Sequence, residues 1–172
     1  MNEIEEPALA GSFQAPITED VAKLSIREQI QALMIKQPYA VLCTQGGGQP
    51  YGSVIAFAVN QELNSAVFAT PRATRKFRLL TECDRVSLVV DNRTGSTGDI
   101  SSIHAVTATG RAVDLEDNNV EDDWQKLLVD KHPLMQDFIC APSTAIIRID
   151  IFRYFHVTRL QEVFQWIPPR HS

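Results

Sequence analysis

The middle of the chain consists of short apolar runs separated by polar, Gly- and Asn-containing segments, the pattern of β-strands joined by turns. Two such runs, residues 39–44 and 51–59, are joined by a polar segment that predicts a hairpin turn. This segment holds three consecutive glycines but lacks the Lys and Ser/Thr of a phosphate-binding loop. A third run covers residues 65–69, and a fourth, residues 85–91, is almost continuously apolar and therefore central.

The strand pattern continues toward the C-terminus. A fifth strand is predicted at about His104 to Asp114 and a sixth at Ala145 to Ile151, and residues 153–158 fit a seventh strand after a bend. Residues 163–166 form the last predicted apolar segment of the chain. Six or seven strands with short connections predict a mainly β protein, an antiparallel barrel with peripheral helices. A doubly wound parallel sheet is disfavoured, because the first three strands leave no room for crossover helices.

Two stretches have the helical period. Ser25 and Glu28 have the spacing of a capping box, and apolar residues then recur every three or four positions until the chain approaches Pro38. The apolar stripe of this helix is most simply explained as part of the core. A second helix is indicated from Val120 to about His132-Pro133, where it stops.

A basic segment, Arg72 to Arg78, holds four of the sixteen Lys and Arg residues of the chain. It predicts a strand running into a helix, with Thr70 as the cap and Pro71 at the first helical position, where its missing N–H costs nothing. Arg75 and Lys76 then add charge to a helix N-terminus whose free N–H groups attract a phosphate. A solvated basic helix face is the alternative. The arginines at the two ends of the segment are expected to face solvent.

The composition narrows the class of protein. At 172 residues the chain is long enough for one domain, which we expect over residues 17–172, behind an extended N-terminal arm of residues 1–16. The net charge of −5 and the pI near 5.3 argue against binding to nucleic acid or to a membrane surface, which would require a broad basic face. One basic segment on an acidic background suits a small anionic ligand.

Cysteine and histidine usage indicates neither a metal site nor a disulfide framework. Cys43, Cys83 and Cys140 are far apart and are expected to be reduced thiols in or near the core. The four histidines are equally scattered, so no zinc-ligand spacing is present. The acidic N-terminus has no apolar signal region and no stretch approaches the length of a transmembrane helix, so we expect a cytoplasmic protein.

Motifs between Val41 and Ala112 resemble those of a known family. Gly48-Gln49-Pro50-Tyr51 enters a strand, residues 67–70 precede Ala73-Thr74-Arg75-Lys76, and the fourth strand is followed later by residues 106–112. Together they resemble the flavin-binding split-barrel family typified by pyridoxamine 5′-phosphate oxidase. The specific part is the Thr-x-x-x-Thr-Arg-Lys pattern, which in that family grips the FMN phosphate.

The resemblance implies a split form of the predicted barrel and FMN as its cofactor. The basic motif would bind the phosphate, the end of the third strand would line the ribityl chain, and backbone groups of the second strand would face the hydrogen-bonding edge of the isoalloxazine. Asn92 and Arg93 lie at the mouth of a central strand, where they could reach the flavin or a substrate acid; alternatively, Asn92 makes a turn and Arg93 is solvated. The implied cofactor-binding residues are Ser53, Val54, Ile55, Ala56, Phe57, Ala69, Thr70, Thr74, Arg75, Lys76 and Asn92.

The chain also departs from the oxidases. Their second strand carries an Arg and a Lys that contact FMN and substrate, whereas this chain has Ser53 and Ala58 at the matching places. Phe155-His156 and Arg159 match the oxidases' C-terminal substrate residues only approximately. The resemblance therefore implies the cofactor and leaves the substrate, the electron donor and the catalytic residues open.

The family resemblance implies a homodimeric, FMN-dependent oxidoreductase with the flavin at the subunit interface. A flavin needs few protein side chains for redox chemistry, and the chain has no grouping for hydrolysis. One alternative is a flavin or haem carrier or sensor that does no turnover, which the missing oxidase residues and the lack of a clear acid–base pair favour. The loop from Asp91 to Asp99 resembles that of an uncharacterised flavin-binding branch of the family, in which haem-handling relatives are also found. Another is a reductase that uses a deazaflavin in the same barrel.

Overall fold

The computed structural model describes residues 24–93, 103–116, 121–158 and 162–169. The predicted N-terminal arm, residues 1–16, lies outside these ranges, as do Arg159 and most of the loop that follows Asn92.

The strands of the described chain form one sheet in which every neighbouring pair is antiparallel. Their order is β3-β2-β1-β4-β5-β6-β7, and a second pairing of β3 with β6 closes the first six into a barrel. This confirms the mainly β, split-barrel class. The strands are β1 (Tyr39–Gly46), β2 (Gln49–Val59), β3 (Ser65–Pro71), β4 (Arg85–Asp91), β5 (Ala105–Asp114), β6 (Thr144–Thr158) and β7 (Glu162–Trp166).

The sixth strand differs from its prediction. Two strands separated by a bend were expected, and the structure has the single strand β6 with an irregularity inside it. Gly110 pairs with Ile151 and Thr109 pairs with Arg153, so Phe152 is an extra residue, a β-bulge. A Cβ on Gly110 would lie 2.5 Å from the carbonyl oxygen of Asp150, so glycine is required for this close approach. The bend therefore changes the direction of the strand without ending it.

Helices cover the barrel at a few points. The predicted capping box of the first helix is present: the Glu28 N–H donates to Ser25 Oγ at 3.3 Å, and the Ser25 N–H donates to Glu28 Oε2 at 2.7 Å. Within the described residues, no helix is long and apolar enough to cross a membrane. The helices are α1 (Ile26–Lys36), α2 (Arg75–Glu82), α3 (Glu121–Lys131) and α4 (Gln136–Ile139), with a 3-10 turn (Pro133–Met135) before α4.

Alternation along the strands separates two apolar clusters. The barrel interior contains Leu42 and Phe57 together with residues of α1 and α2. A second cluster lies on the outside of β2 and β3, where Ala58 and Val67 pack under α3 and α4. All three cysteines are free thiols, but Cys140, expected in or near the core, is exposed at the end of α4.

Candidate functional site

Strands β2 and β3 separate over part of their length. They pair only where Phe57–Val59 meets Ala66–Phe68. In the described part of the chain, residues Gln49–Ala56 pair with β1 alone, and Ala69–Pro71 pair with β6 alone. The two strands therefore diverge and leave an opening in the barrel wall, which we call the split.

The backbone of β2 offers polar groups to the split. Asn60 donates its N–H to the carbonyl oxygen of Ser65 at 3.1 Å, on the side of β3. In an antiparallel strand, the N–H and C=O of one residue point to the same side and those of the next residue to the opposite side. Counting back in twos from Asn60, the backbone groups of Ala56 and Val54 also point toward β3. Because β3 has diverged there, these groups line the split.

The backbone of β3 lines the split from the other side. Arg72 donates its N–H to the carbonyl oxygen of Ser143 at 3.0 Å, on the side of β6. By the same alternation, the backbone groups of Thr70 point to β6 and those of Ala69 point into the split. The β2–β3 register, if continued, would place Ala69 opposite Ala56. The split thus has backbone donors and acceptors on both edges.

The predicted second-strand residues divide between the two faces of the sheet. Ser53, Ile55 and Phe57 face the barrel interior, where Ile55 and Phe57 are buried in the core. Val54 and Ala56 face outward, and Val54 is 69% exposed. The backbone groups of Val54 and Ala56 therefore line the split, and their side chains form the outer surface beside it. Ser53 Oγ is buried and has no hydrogen-bond partner among the described residues.

Helix α2 begins at Arg75, later than the predicted start at Pro71, because β3 stays paired with β6 through Pro71 and holds the chain extended. The cap is Thr74, and the expectation of a Thr70 cap is wrong. Thr74 Oγ1 accepts from the Phe77 N–H at 3.2 Å and donates to the Pro71 carbonyl at 2.9 Å. Since that uses the only hydroxyl proton of Thr74, Thr70 donates to Thr74 Oγ1 in their 3.0 Å contact.

Two cations occupy the start of α2. Arg75 and Lys76 are its first two residues, and its first turn has no acidic residue. Neither cation forms an ion pair with a carboxylate within the described chain. Lys76 is half-buried, and this burial lowers its pKa from the usual lysine value. Two free cations at a positive helix end form a site for an anion.

Aromatic rings of the barrel support both cations. The Arg75 guanidinium carbon lies 5.0 Å from the ring centroid of Tyr51, and Lys76 Nζ lies 6.0 Å from that of Phe68. Neither ring was among the predicted site residues. Tyr51 stands inside the quoted Gly48-to-Tyr51 motif, but its distance of more than twenty residues from the basic segment conceals the contact.

The two ends of the basic segment differ from each other. Arg78 is exposed as predicted, 4.0 Å from Glu82. Arg72 was expected to face solvent, and this is wrong: its NH1 lies 2.8 Å from Asp114 Oδ2 and 3.0 Å from Glu116 Oε2. The partners come from the end of β5, a strand that sequence spacing does not connect to this loop.

Asn92 lies two strands away from β2, at the end of β4. Its side-chain oxygen accepts from the His104 N–H at 2.8 Å, and its own N–H donates to the His104 carbonyl at 3.2 Å. The side chain of Asn92 thus joins the ends of β4 and β5, and its contact with a cofactor stays a prediction.

His104 stacks on His156, whose buried Nδ1 has no hydrogen-bond partner in the described chain. The pKa of His156 is lowered mainly by burial and further by the electrostatic effect of the nearby His104.

A six-stranded antiparallel barrel whose wall is split between β2 and β3 defines a split-barrel protein. The family model for pyridoxamine 5′-phosphate oxidase matches residues 26–158. The chain belongs to this family. A search of curated proteins found no match to the sequence.

Solved structures share the fold at low sequence identity. A heme binding protein from Mycobacterium smegmatis aligns with a TM-score of 0.75 at 15% identity, over 86% of this chain and 60% of that one. ChuZ from Campylobacter jejuni has a TM-score of 0.71 at 9% identity, over 83% of this chain and 59% of that one. A FAD-binding protein from Mesorhizobium loti has a TM-score of 0.61 at 18% identity, over 77% of this chain and 94% of that one. This chain thus spans about 60% of the length of the first two proteins, and these likenesses show the fold.

Proposed function

We propose that this protein is an FMN-binding flavoprotein that works as a cytoplasmic, homodimeric oxidoreductase. One observation carries the proposal: the split and the cationic start of α2 are joined by a few residues of chain. Ala69 lines the split, β3 ends at Pro71, and Arg75 and Lys76 begin α2 after three intervening residues. A ligand with a flat ring at one end and a phosphate at the other suits this arrangement.

The two ends of FMN need different surroundings, and the chain offers both. The phosphate is a dianion, for which free N–H groups at a helix start and adjacent Arg and Lys side chains are suitable partners. The isoalloxazine has an apolar face and an edge of alternating donors and acceptors. Val54 and Ala56 offer an outward apolar surface and backbone N–H and C=O groups on the same stretch of strand. When bound, FMN would supply the electron transfer, and the protein would hold and orient it.

The proposed dimer rests on the outer face of the barrel beside the split. Val54 is 69% exposed and Tyr39 is 58% exposed, and both point outward from neighbouring strands. A second subunit on this face would bury the apolar surface and cover the flavin from the other side. The substrate stays open, since the second strand has Ser53 and Ala58 where the oxidases have charged residues.

The phosphate contact is tested by removing both cations. We expect the purified wild type to be yellow with flavin absorption bands, and Arg75→Ala/Lys76→Ala to be colourless. The matched control is Arg85→Ala/Arg111→Ala, which removes two cations located beyond the other end of α2. We expect this control to keep its flavin. Full flavin content in the Arg75/Lys76 variant would refute the proposed phosphate site.

A haem or flavin carrier that does no turnover is the second candidate. The fold likeness to a heme binding protein favours it. Steady-state reduction of a bound flavin by NADH or NADPH, with transfer to an acceptor, supports the oxidoreductase. A Soret band after titration with haem, without turnover, supports the carrier. Identifying the small molecule released on heat denaturation distinguishes FMN from a deazaflavin.

A further inference from the structure

Two carboxylates lie at the end of β5, next to the loop that leads into α2. The Glu116 N–H donates to Asp114 Oδ1 at 3.2 Å, so a backbone turn holds the two acidic residues together. Arg72 bridges them. Its NH1 lies 2.8 Å from Asp114 Oδ2 and 3.0 Å from Glu116 Oε2, and its NH2 lies 3.5 Å from Asp114 Oδ1. One guanidinium thus forms ion pairs with two carboxylates.

This cluster, Arg72 with Asp114 and Glu116, adjoins the first turn of α2. The Arg72 guanidinium carbon lies 5.2 Å from the ring centroid of Phe77. Phe77 in turn follows Lys76 and donates its N–H to Thr74, the cap of α2. We take the carboxylates to lie on the order of 10 Å from the helix start, close to the Debye length of about 8–10 Å at 0.1–0.15 M salt. At this distance, salt screens their charges only in part.

The cluster would act on any anion held at the helix start. Together, Asp114 and Glu116 carry two negative charges, and Arg72 reduces the net charge of the cluster to one. The side chains of Arg72 and Asp114 are 29% and 33% exposed and that of Glu116 is 60% exposed, so solvent weakens the field of the first two less than that of Glu116. Without the guanidinium, two uncompensated carboxylates would repel a phosphate dianion.

We propose that Arg72 is a positioning residue of the phosphate site, which neutralises Asp114 and Glu116 and holds the loop before α2. This inference rests on the proposed binding of FMN. It assigns Arg72 a role different from that of Arg75 and Lys76, because Arg72 acts through the carboxylates and does not contact the phosphate. The role is electrostatic, so it depends on the phosphate of the ligand and on salt.

The test compares FMN with riboflavin, which lacks the phosphate, in fluorescence titrations of the purified apoprotein at low salt. We expect Arg72→Gln to weaken FMN binding about fivefold, from one charge removed at about 10 Å from a dianion. Riboflavin binding should change less than twofold. Asp114→Asn/Glu116→Gln should tighten FMN binding, and the triple variant Arg72→Gln/Asp114→Asn/Glu116→Gln should bind FMN at least as tightly as the wild type.

The matched control is Arg111→Gln, which breaks a 2.6 Å ion pair with Asp84 beyond the far end of α2. We expect it to leave FMN affinity unchanged. Equal weakening of FMN and riboflavin by Arg72→Gln would show a purely structural role and overturn the inference. A triple variant that binds FMN as weakly as Arg72→Gln would also overturn it, as would unchanged affinity in Arg72→Gln itself. A wild-type chain that binds neither ligand would instead refute the proposed function.

Discussion

Removing the hydroxyl of Thr74 should destabilise the barrel and loosen the start of α2. The side chain caps the helix through Phe77, donates to the Pro71 carbonyl and accepts from Thr70. Loss of an N-cap costs about 1 kcal/mol. Thr70 is fully buried, so its hydroxyl would lose its acceptor, at a cost of roughly 1–3 kcal/mol. We therefore expect Thr74→Ala to lower the free energy of unfolding by about 2–4 kcal/mol.

Urea denaturation followed by circular dichroism measures this change, provided that the slope against urea stays the same. Thr74→Ser keeps the oxygen and should lose less than about 1 kcal/mol. A double-mutant cycle with Thr70→Val isolates the contact between the two hydroxyls, and we expect a coupling energy of about 1 kcal/mol. Equal stability of the Ala and Ser variants, or zero coupling, would refute the assignment of Thr74 as the cap and acceptor.

Two further predictions concern other parts of the barrel. Gly110→Ala should lower the free energy of unfolding by roughly 1–3 kcal/mol, because the alanine Cβ would collide with the Asp150 carbonyl oxygen. Unchanged thermal stability of this variant would contradict the close approach of the two strands. Lys131 Nζ lies 2.9 Å from the Met34 carbonyl oxygen and 4.0 Å from the Phe57 ring centroid, and burial lowers its pKa to about 8 from 10.5. Between pH 8 and 10.5 the unfolded state binds more protons at Lys131 than the folded state does, so the free energy of unfolding rises with pH. We therefore expect the stability of the wild type relative to Lys131→Met to rise from pH 8 to 10.5 and to stay constant below pH 8. A falling or flat difference in urea titrations over that window would contradict it.

Local signals predicted most of the secondary structure. The strand β4 matches its apolar run, and α1 has the capping box expected from Ser25 and Glu28. These features depend on residues a few positions apart, so propensity and periodicity are enough to find them. The predicted hairpin is also confirmed, with Gly47 and Gly48 at positive φ in its turn, a conformation that glycine adopts without strain.

The start of α2 shows where local signals failed. Thr70 followed by Pro71 has the sequence of a helix start, and the later pair of Thr74 followed by Arg75 is the true one. The difference arises from the pairing of β3 with β6, which continues to Pro71 opposite Thr144. The partner strand lies more than seventy residues away in sequence, so no local window contains it.

The sequence by itself determined the barrel class, most of the strand and helix segments and the basic motif with Arg75 and Lys76. Only the tertiary structure decided which groups meet around that motif. The divergence of β2 from β3 exposes the backbone of Val54, Ala56 and Ala69. The closure of the barrel also brings the end of β5 to Arg72. Both features depend on strand register and on contacts between distant segments, and these are determined by how the whole sheet packs and closes.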